Sequence, residues 1–186
     1  FKLDIARAFD NVSWEYLLEL LQVLGFSAHW RDWIALLLAS ASSSFMLNGI
    51  VGRKIRHRKG LRQGDPLSPL LFIITIDPLH RLLQQATELE LLAPLPGRDV
   101  FLRVSLYADD AVIFANPEKV EVDALLDILR NFGQATGLQI NHTKSTVTPI
   151  RCEEDNLHDI LSNFGGATVG FPLRYLGIPL TLSRLR

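Results

Sequence analysis

Two adjacent acidic residues, Asp109 and Asp110, separate two apolar segments that predict β-strands, Val100 to Leu106 and Ala111 to Ala115. Neighbouring carboxylates repel each other, and holding them beside a buried sheet is unfavourable unless a cation compensates their charge. Carboxylate oxygens are ligands that Mg²⁺ takes in proteins. An ordinary turn is the alternative, since Asp is common in turns, but Gly and Asn are missing here. The segment therefore predicts a hairpin with a divalent-cation site at its turn.

A third carboxylate, Asp4, lies in an apolar segment, Phe1 to Ile5, that predicts the end of a strand. Three carboxylates on adjacent strand ends can bind two metal ions about 4 Å apart. Taken alone, Asp4 is equally compatible with an acid at the entry of a helix. Together with the paired acids, it predicts a site in which the side chains of Asp4 and Asp109 converge.

The other sequence patterns predict helices that alternate with hairpins. Ser13 and Ser27 are typical N-cap residues before two helical patterns, Asn48-Gly49 is a strong hairpin signal, and Gly137 ends a helix. We further expect Trp30, Ile34, Leu37 and Leu38 on one helix face. Ser68 is the predicted N-cap of a helix that runs to about Leu91, and a loop follows at Pro94, Pro96 and Gly97. The last predicted elements are a strand from Lys144 to Ile150, a helix from Glu153 to Phe164 and a hairpin from Arg174 to Leu182. Tight turns make the strands antiparallel and leave the helices to cover one face, so the predicted fold class is α+β.

The length and composition fit one globular domain or a large piece of one. The chain has 186 residues, of which 48% are hydrophobic and 21% are charged, and this balance argues against disorder. A single cysteine, Cys152, excludes an intramolecular disulfide. The longest apolar run, Leu67 to Ile76, is about half the length of a membrane-spanning helix.

The net charge of −1 conceals a basic stripe between Arg53 and Arg62. The stripe contains no acid, and its cations are Arg53, Lys54, Arg56, Arg58, Lys59 and Arg62. Such a stripe can hold phosphates even in a nearly neutral chain. A solvated hairpin edge whose charges prevent aggregation is the alternative, and the sequence does not decide between them.

Five segments, in order, resemble motifs A to E of the reverse transcriptases of non-LTR (LINE-type) retrotransposons. Their sequences are most similar to those of plant elements. The segments are Lys2 to Trp14 for motif A, Gly60 to Pro69 for motif B, Tyr107-Ala108-Asp109-Asp110 for motif C, Gly137 to Ser145 for motif D and Phe171 to Leu180 for motif E. Each segment is a weak signal alone, whereas the ordered set is specific. The resemblance implies a polymerase palm-type antiparallel sheet covered by helices, with part of the fingers and a terminal hairpin.

The resemblance implies an RNA-directed DNA polymerase that needs two Mg²⁺ ions, with Mn²⁺ as a substitute. Asp4 and Asp109 match the acids that hold both metals, and Asp110 matches a supporting ligand. The primer 3′-hydroxyl then attacks the α-phosphate of a deoxynucleoside triphosphate. The implied partners are an RNA template, a DNA primer and deoxynucleoside triphosphates, and the implied compartment is intracellular, by analogy the nucleus.

The resemblance also assigns substrate contacts. Phe9 matches an aromatic gate that excludes a 2′-hydroxyl by steric clash, although a core phenylalanine is the alternative. Gln63 and Gly64 match the pocket for nucleotide and template, against an ordinary turn, and Arg62 and Tyr107 are assigned to the same pocket.

Two further assignments concern the acid and the primer. Lys144 matches a lysine that protonates the leaving pyrophosphate, and a surface lysine is the alternative. Its pKa would have to be lowered by burial or a cationic neighbour for efficient proton donation. Tyr175, Leu176 and Gly177 match the residues that grip the primer end, and a packed terminal hairpin is the alternative.

Two alternatives to an active polymerase remain at this stage. The resemblance describes residues 1–186 as a palm core with part of the fingers, with the upstream fingers and the thumb missing. We therefore also consider an inactive, truncated retrotransposon relic that folds without polymerising. An RNA-templated RNA polymerase ranks below both, because those enzymes usually carry Gly before the paired acids and a small or polar residue in place of Phe9.

Overall fold

The computed structural model describes residues 1–96, 103–152 and 156–182. Three predicted features lie partly outside these ranges: the start of the strand at Val100, the loop residue Gly97 and the start of the helix at Glu153. Among the described residues, no helix combines the length and hydropathy needed to cross a bilayer.

The described residues form helices that agree closely with the local sequence signals. The helices are α1 (Ala8–Asn11), α2 (Trp14–Val23), α3 (Ala28–Ala39), α4 (Ser68–Glu88), α5 (Lys119–Thr136) and α6 (Leu157–Ile160). The predicted caps are confirmed, because the Ser13 and Ser27 hydroxyls each accept a backbone N–H from the first turn. Gly137 ends α5 in the left-handed conformation, with φ of 83°.

The strands of the described residues are short and form one main sheet and three two-stranded sheets. They are β1 (Lys2–Asp4), β2 (Ser42–Ser43), β3 (Met46–Leu47), β4 (Ile50–Val51), β5 (Ile55–Arg56), β6 (Val104–Tyr107), β7 (Asp110–Ile113), β8 (Thr146–Val147), β9 (Ala167–Thr168), β10 (Leu173–Tyr175) and β11 (Ile178–Leu180). The main sheet has the order β6-β7-β1-β8-β9. Its pairs are antiparallel except β8 with β9, which is parallel. The predicted mixed fold with a mainly antiparallel sheet is therefore confirmed.

The two faces of this sheet differ in chemistry because side chains alternate along each strand. Leu3 lies opposite Ala111, which lies opposite Leu106, and these residues face the core with the helices. On the opposite face, Asp4 lies opposite Asp110. The helices thus cover one face, as predicted, and leave the acidic face on the other side.

Several local predictions were wrong. Leu37 is 59% exposed, because the buried stripe of α3 is narrow and contains only Ile34 and Leu38. Ser68 is the first helical residue of α4 and not its N-cap, and that helix ends at Glu88. The predicted strand over Lys144 to Ile150 contains only β8, and the described part of the predicted last helix contains only α6.

A buried ion pair connects the β6–β7 hairpin to two helices. Arg103 donates to Glu121 at 2.9 Å, and both side chains are almost fully buried. The guanidinium also donates to the Thr87 hydroxyl at 3.0 Å and to the Phe114 carbonyl at 3.3 Å, and it bonds the Ala93 carbonyl. The pair therefore holds the end of α4, the base of the hairpin and the start of α5 together.

Candidate active site

The strand register brings Asp4 and Asp110 directly together. The N–H of Asp4 donates to the Ser145 hydroxyl at 3.0 Å, and its carbonyl accepts the N–H of Asn141 at 2.8 Å. Both backbone groups of Asp4 therefore point away from β7. Asp4 and Asp110 consequently form a non-hydrogen-bonded pair, the kind in which the Cα atoms are about 4.5 Å apart and the side chains are closest.

Asp109 lies in the turn that joins β6 to β7. Tyr107 lies opposite Asp110, so the turn consists of Ala108 and Asp109. Ala108 has a positive φ of 52°, a conformation that is unfavourable for a residue with a side chain. Asp109 is exposed and directly precedes the half-buried Asp110. The structure thus places Asp110 opposite Asp4, with Asp109 beside it at the tip of the turn.

The three carboxylates have no protein partner in the part of the chain that the structure describes. Within the described residues, none of the side chains of Asp4, Asp109 and Asp110 accepts a hydrogen bond or forms an ion pair. Over the same residues, no group of three or more His, Cys, Asp or Glu side chains is close enough to hold a metal ion. The donor chemistry of the facing pair, four oxygens without protein donors, fits a hard divalent cation.

The segment that follows α5 holds β1 in place through Ser145, a residue to which the sequence alone gave no functional role. Ser145 is fully buried, accepts the N–H of Asp4 and donates to the Asn141 carbonyl at 2.8 Å. Its neighbour Lys144 is exposed. A serine in a β-branched, strand-like stretch was the available signal, because a buried hydroxyl needs partners. Ser145 therefore fixes the position of the strand end that carries Asp4.

The loop before α4 packs against the segment between β1 and α2 at Gly60. Its N–H donates to the Val12 carbonyl at 2.8 Å, and its carbonyl accepts the indole N–H of Trp14 at 2.6 Å. A Cβ at Gly60 would lie 2.5 Å from the backbone oxygen of Asp10. Only glycine permits this approach, which brings the loop with Gln63 to the backbone of Asp10.

The predicted pocket residues on this loop differ in their environment. Gln63 donates to the Asp10 carboxylate at 3.1 Å. Arg62 and Gly64 are exposed, and Gly64 has a positive φ of 85° with open space around it. Tyr107 is 64% exposed and lies on the same sheet face as the carboxylates.

Phe9 is half-buried in α1, five positions after Asp4. Its ring stacks on the buried ring of Phe72 in α4, with centroids 4.6 Å apart and planes inclined by 14°. The stack fixes the orientation of the ring. This contact is compatible both with an aromatic gate and with a core phenylalanine.

The terminal hairpin β10–β11 lies across the acidic face of the sheet. The Tyr175 hydroxyl lies 3.1 Å from the Ser105 hydroxyl, and the Lys2 ammonium donates to the Arg174 carbonyl at 3.1 Å. Between these two anchors lies Val112, which is 7% exposed although it faces away from the helices. The hairpin thus covers the row of residues next to the Asp4–Asp110 row, and its turn at Leu176 and Gly177 adopts positive φ at both residues.

Comparison with known proteins identifies the class of protein that this fold and site define. Residues 1–180 match the family described as reverse transcriptase (RNA-dependent DNA polymerase). The chain therefore belongs to the reverse transcriptase family.

Individual relatives come from transposable elements. The chain is 31% identical over 144 residues to a Retrovirus-related Pol polyprotein from type-1 retrotransposable element R2 of Popillia japonica, covering 77% of the chain and 20% of the relative. It is 30% identical over 145 residues to the Transposon TX1 uncharacterized 149 kDa protein of Xenopus laevis, with 77% and 11% covered. It is 27% identical over 149 residues to the Retrovirus-related Pol polyprotein from type-2 retrotransposable element R2DM of Drosophila melanogaster, with 80% and 13% covered. The matched segments thus span between 11% and 20% of these relatives, whose names support the resemblance to non-LTR retrotransposons.

Proposed function

We propose that the chain is the palm-type catalytic portion of an RNA-directed DNA polymerase. It would extend a DNA primer with deoxynucleoside triphosphates on an RNA template. The observation that carries this proposal is the pairing of Asp4 with Asp110 on the sheet face that the terminal hairpin partly covers. Family membership supports RNA-directed DNA polymerase function in general.

Asp4 and Asp110 would hold a divalent cation between them, and Asp109 lies next to this pair in the turn. Bound Mg²⁺ supplies activation of the primer hydroxyl and neutralisation of triphosphate charge. The resemblance gives Asp109 the larger role, whereas the strand register favours Asp110. Separate variants of these two residues distinguish the assignments.

The other residues of the site would bind and orient the substrates. The Phe9 ring, supported by Phe72, forms a rigid surface beside motif A on which the sugar of the nucleotide would lie. Gln63, held by the Asp10 carboxylate, offers an uncharged amide to the pocket. The terminal hairpin, anchored at Ser105, forms the wall against which the primer end would lie.

Metal binding tests the site without requiring turnover. We expect the chain to bind Mn²⁺, measured by electron paramagnetic resonance, and Asp4→Asn and Asp110→Asn each to weaken binding about tenfold or more. Asp77→Asn, which removes an exposed acid on α4, is the matched control and should leave binding unchanged. Equal Mn²⁺ affinity in all variants would refute the site.

Primer extension tests the reaction. With an RNA template, a DNA primer and Mg²⁺, we expect incorporation of deoxynucleotides that is abolished by Asp4→Asn. A chain that binds Mn²⁺ through these acids but incorporates no nucleotide would favour the inactive relic.

A further inference from the structure

The hairpin built from β2 to β5 contains a shift in register that its sequence does not reveal. Met46 lies opposite Val51, and the N–H of Gly52 continues this register by donating to the Phe45 carbonyl at 2.8 Å. Closer to the base, Ser43 lies opposite Ile55. Between these pairs, the strand that carries Arg53 and Lys54 therefore has one residue more than its partner. This extra residue forms a β-bulge at Arg53 and Lys54.

The bulge places cations on one face of this ribbon. Gly52 and Ile55 lie opposite Phe45 and Ser43, which share a face because they are two residues apart. Arg53 and Lys54 both lie between them and so belong to the other face. Arg56, which follows Ile55, lies on that other face as well. A regular hairpin would have placed Arg53 and Lys54 on opposite faces.

These three cations are exposed and available to a ligand. Within the described residues, the side chains of Arg53, Lys54 and Arg56 form neither a hydrogen bond nor an ion pair. The sequence has no acid between Asp32 and Asp65, so no carboxylate of the ribbon itself competes for them. The opposite face carries exposed apolar side chains, among which Phe45 is 72% exposed.

The ribbon leads directly into the candidate active site. Arg56 is four residues from Gly60, so at most about 14 Å of chain separates them. Gly60 packs on the backbone of Asp10 in motif A. A strand of phosphates held by the cationic face would therefore lie close to the loop that carries Gln63.

We infer that the cationic face formed by Arg53, Lys54 and Arg56 binds the phosphate backbone of a single nucleic-acid strand, the RNA template, as it approaches the site. The inference rests on the proposed function for the identity of the strand. Each cation neutralises a phosphate, and the bulge is the feature that gathers them on one face.

Fluorescence anisotropy of the 186-residue chain with a labelled single-stranded RNA of about 20 nucleotides, longer than the site size of typical single-strand binding folds, tests the inference. We expect the triple variant Arg53→Gln, Lys54→Gln and Arg56→Gln to reduce the slope of log affinity against log salt by about 2, since each contact contributes about 0.7. This difference corresponds to an affinity loss of about 100-fold at about 0.1 M salt. All three residues are exposed, and a thermal melt checks that the variant remains folded.

A charge-conserving variant tests the role of the face. Exchanging the two residues, Lys54→Ile with Ile55→Lys, keeps the net charge and moves one cation to the apolar face. We expect an affinity loss of about fivefold at 0.1 M salt, the contribution of one contact. Unchanged RNA affinity in this variant or in the triple variant would overturn the inference. Aggregation without a change in RNA affinity would also overturn it, because that result is expected if the charges only protect a strand edge.

Additional experiments identify the ligand and distinguish this inference from the proposed function. We expect RNA to bind at least as tightly as DNA of the same sequence, and preference for anionic phosphatidylserine vesicles over RNA would overturn the assignment. Asp4→Asn with Asp110→Asn should retain RNA binding. Mn²⁺ binding or primer extension that persists in this double variant would contradict the proposed function alone, and an unaffected triple variant would contradict the ribbon alone.

Discussion

The buried pair of Arg103 and Glu121 should dominate the stability of the fold when it is broken from one side. We expect Glu121→Gln to lower the free energy of unfolding by about 3 to 5 kcal/mol, because it leaves the guanidinium without its counter-charge in the interior. A loss of this size is a large share of the roughly 5 to 15 kcal/mol that stabilises a domain.

The contacts of each partner determine the order of the effects. The Glu121 carboxylate also accepts the backbone N–H of Asn116 at 3.0 Å and of Ala93 at 3.2 Å. Arg103→Met leaves that carboxylate with these donors. We therefore expect this variant to lower the free energy of unfolding by about 3 kcal/mol, near the lower end of the range. The double variant contains no unpaired buried charge, and its loss should be smaller than the sum of the single losses by about 2 kcal/mol or more.

Urea unfolding followed by circular dichroism measures all three variants. The control is Arg81→Met, which breaks the exposed Arg81–Asp77 pair, whose side chains are 71% and 55% exposed. That loss should be within about 0.5 kcal/mol. Single variants as mild as this control, or losses that are simply additive in the double variant, would refute the reasoning.

Three further predictions concern the candidate site. Gly60→Ala should lower the free energy of unfolding, measured in urea, by more than about 2 kcal/mol, because the new Cβ would clash with the backbone of Asp10. Gly64→Ala should lower it by only about 1 kcal/mol, because the space around Gly64 is open. Ser145→Ala should lose about 1 to 3 kcal/mol in the same assay, since it leaves a buried backbone N–H unsatisfied, and an unchanged midpoint would contradict its role. Phe9→Val should admit ribonucleotides, measured as the ratio of kcat/KM for ribonucleotides to that for deoxynucleotides, and unchanged discrimination in an active protein would contradict the gate.

Local signals in the sequence were sufficient for the elements that depend on local chemistry. The caps at Ser13 and Ser27, the helix end at Gly137 and the turn at Asn48 are confirmed, because each depends on residues within one turn. The hairpin around the paired acids is confirmed as well. These features could be predicted without knowledge of the tertiary structure.

Features that depend on register or on distant partners could not be predicted in the same way. The parallel pairing of β8 with β9 joins segments about 20 residues apart that carry no common pattern. The bulge at Arg53 and Lys54 depends on which residues pair across the ribbon. Glu121 did carry a signal, because it lies four residues before the buried Leu125 on the core face of α5, but its partner Arg103 could not be identified from the sequence.

The pairing of Asp4 with Asp110 should lower the free energy of unfolding of the metal-free chain. Like charges directly opposite each other in a sheet are destabilising, typically by a few tenths of a kcal/mol to about 1 kcal/mol. Neither carboxylate gains a compensating hydrogen bond from the described residues, so Asp110→Asn should raise the free energy of unfolding by about 0.5 kcal/mol in metal-free buffer. A cation that binds the pair stabilises the folded state by mass action. Added Mn²⁺ should therefore stabilise the unmodified chain more than it stabilises the variant. If Asp110→Asn is instead destabilising without metal, the carboxylate has a structural role and the argument for a cation at this pair loses its basis.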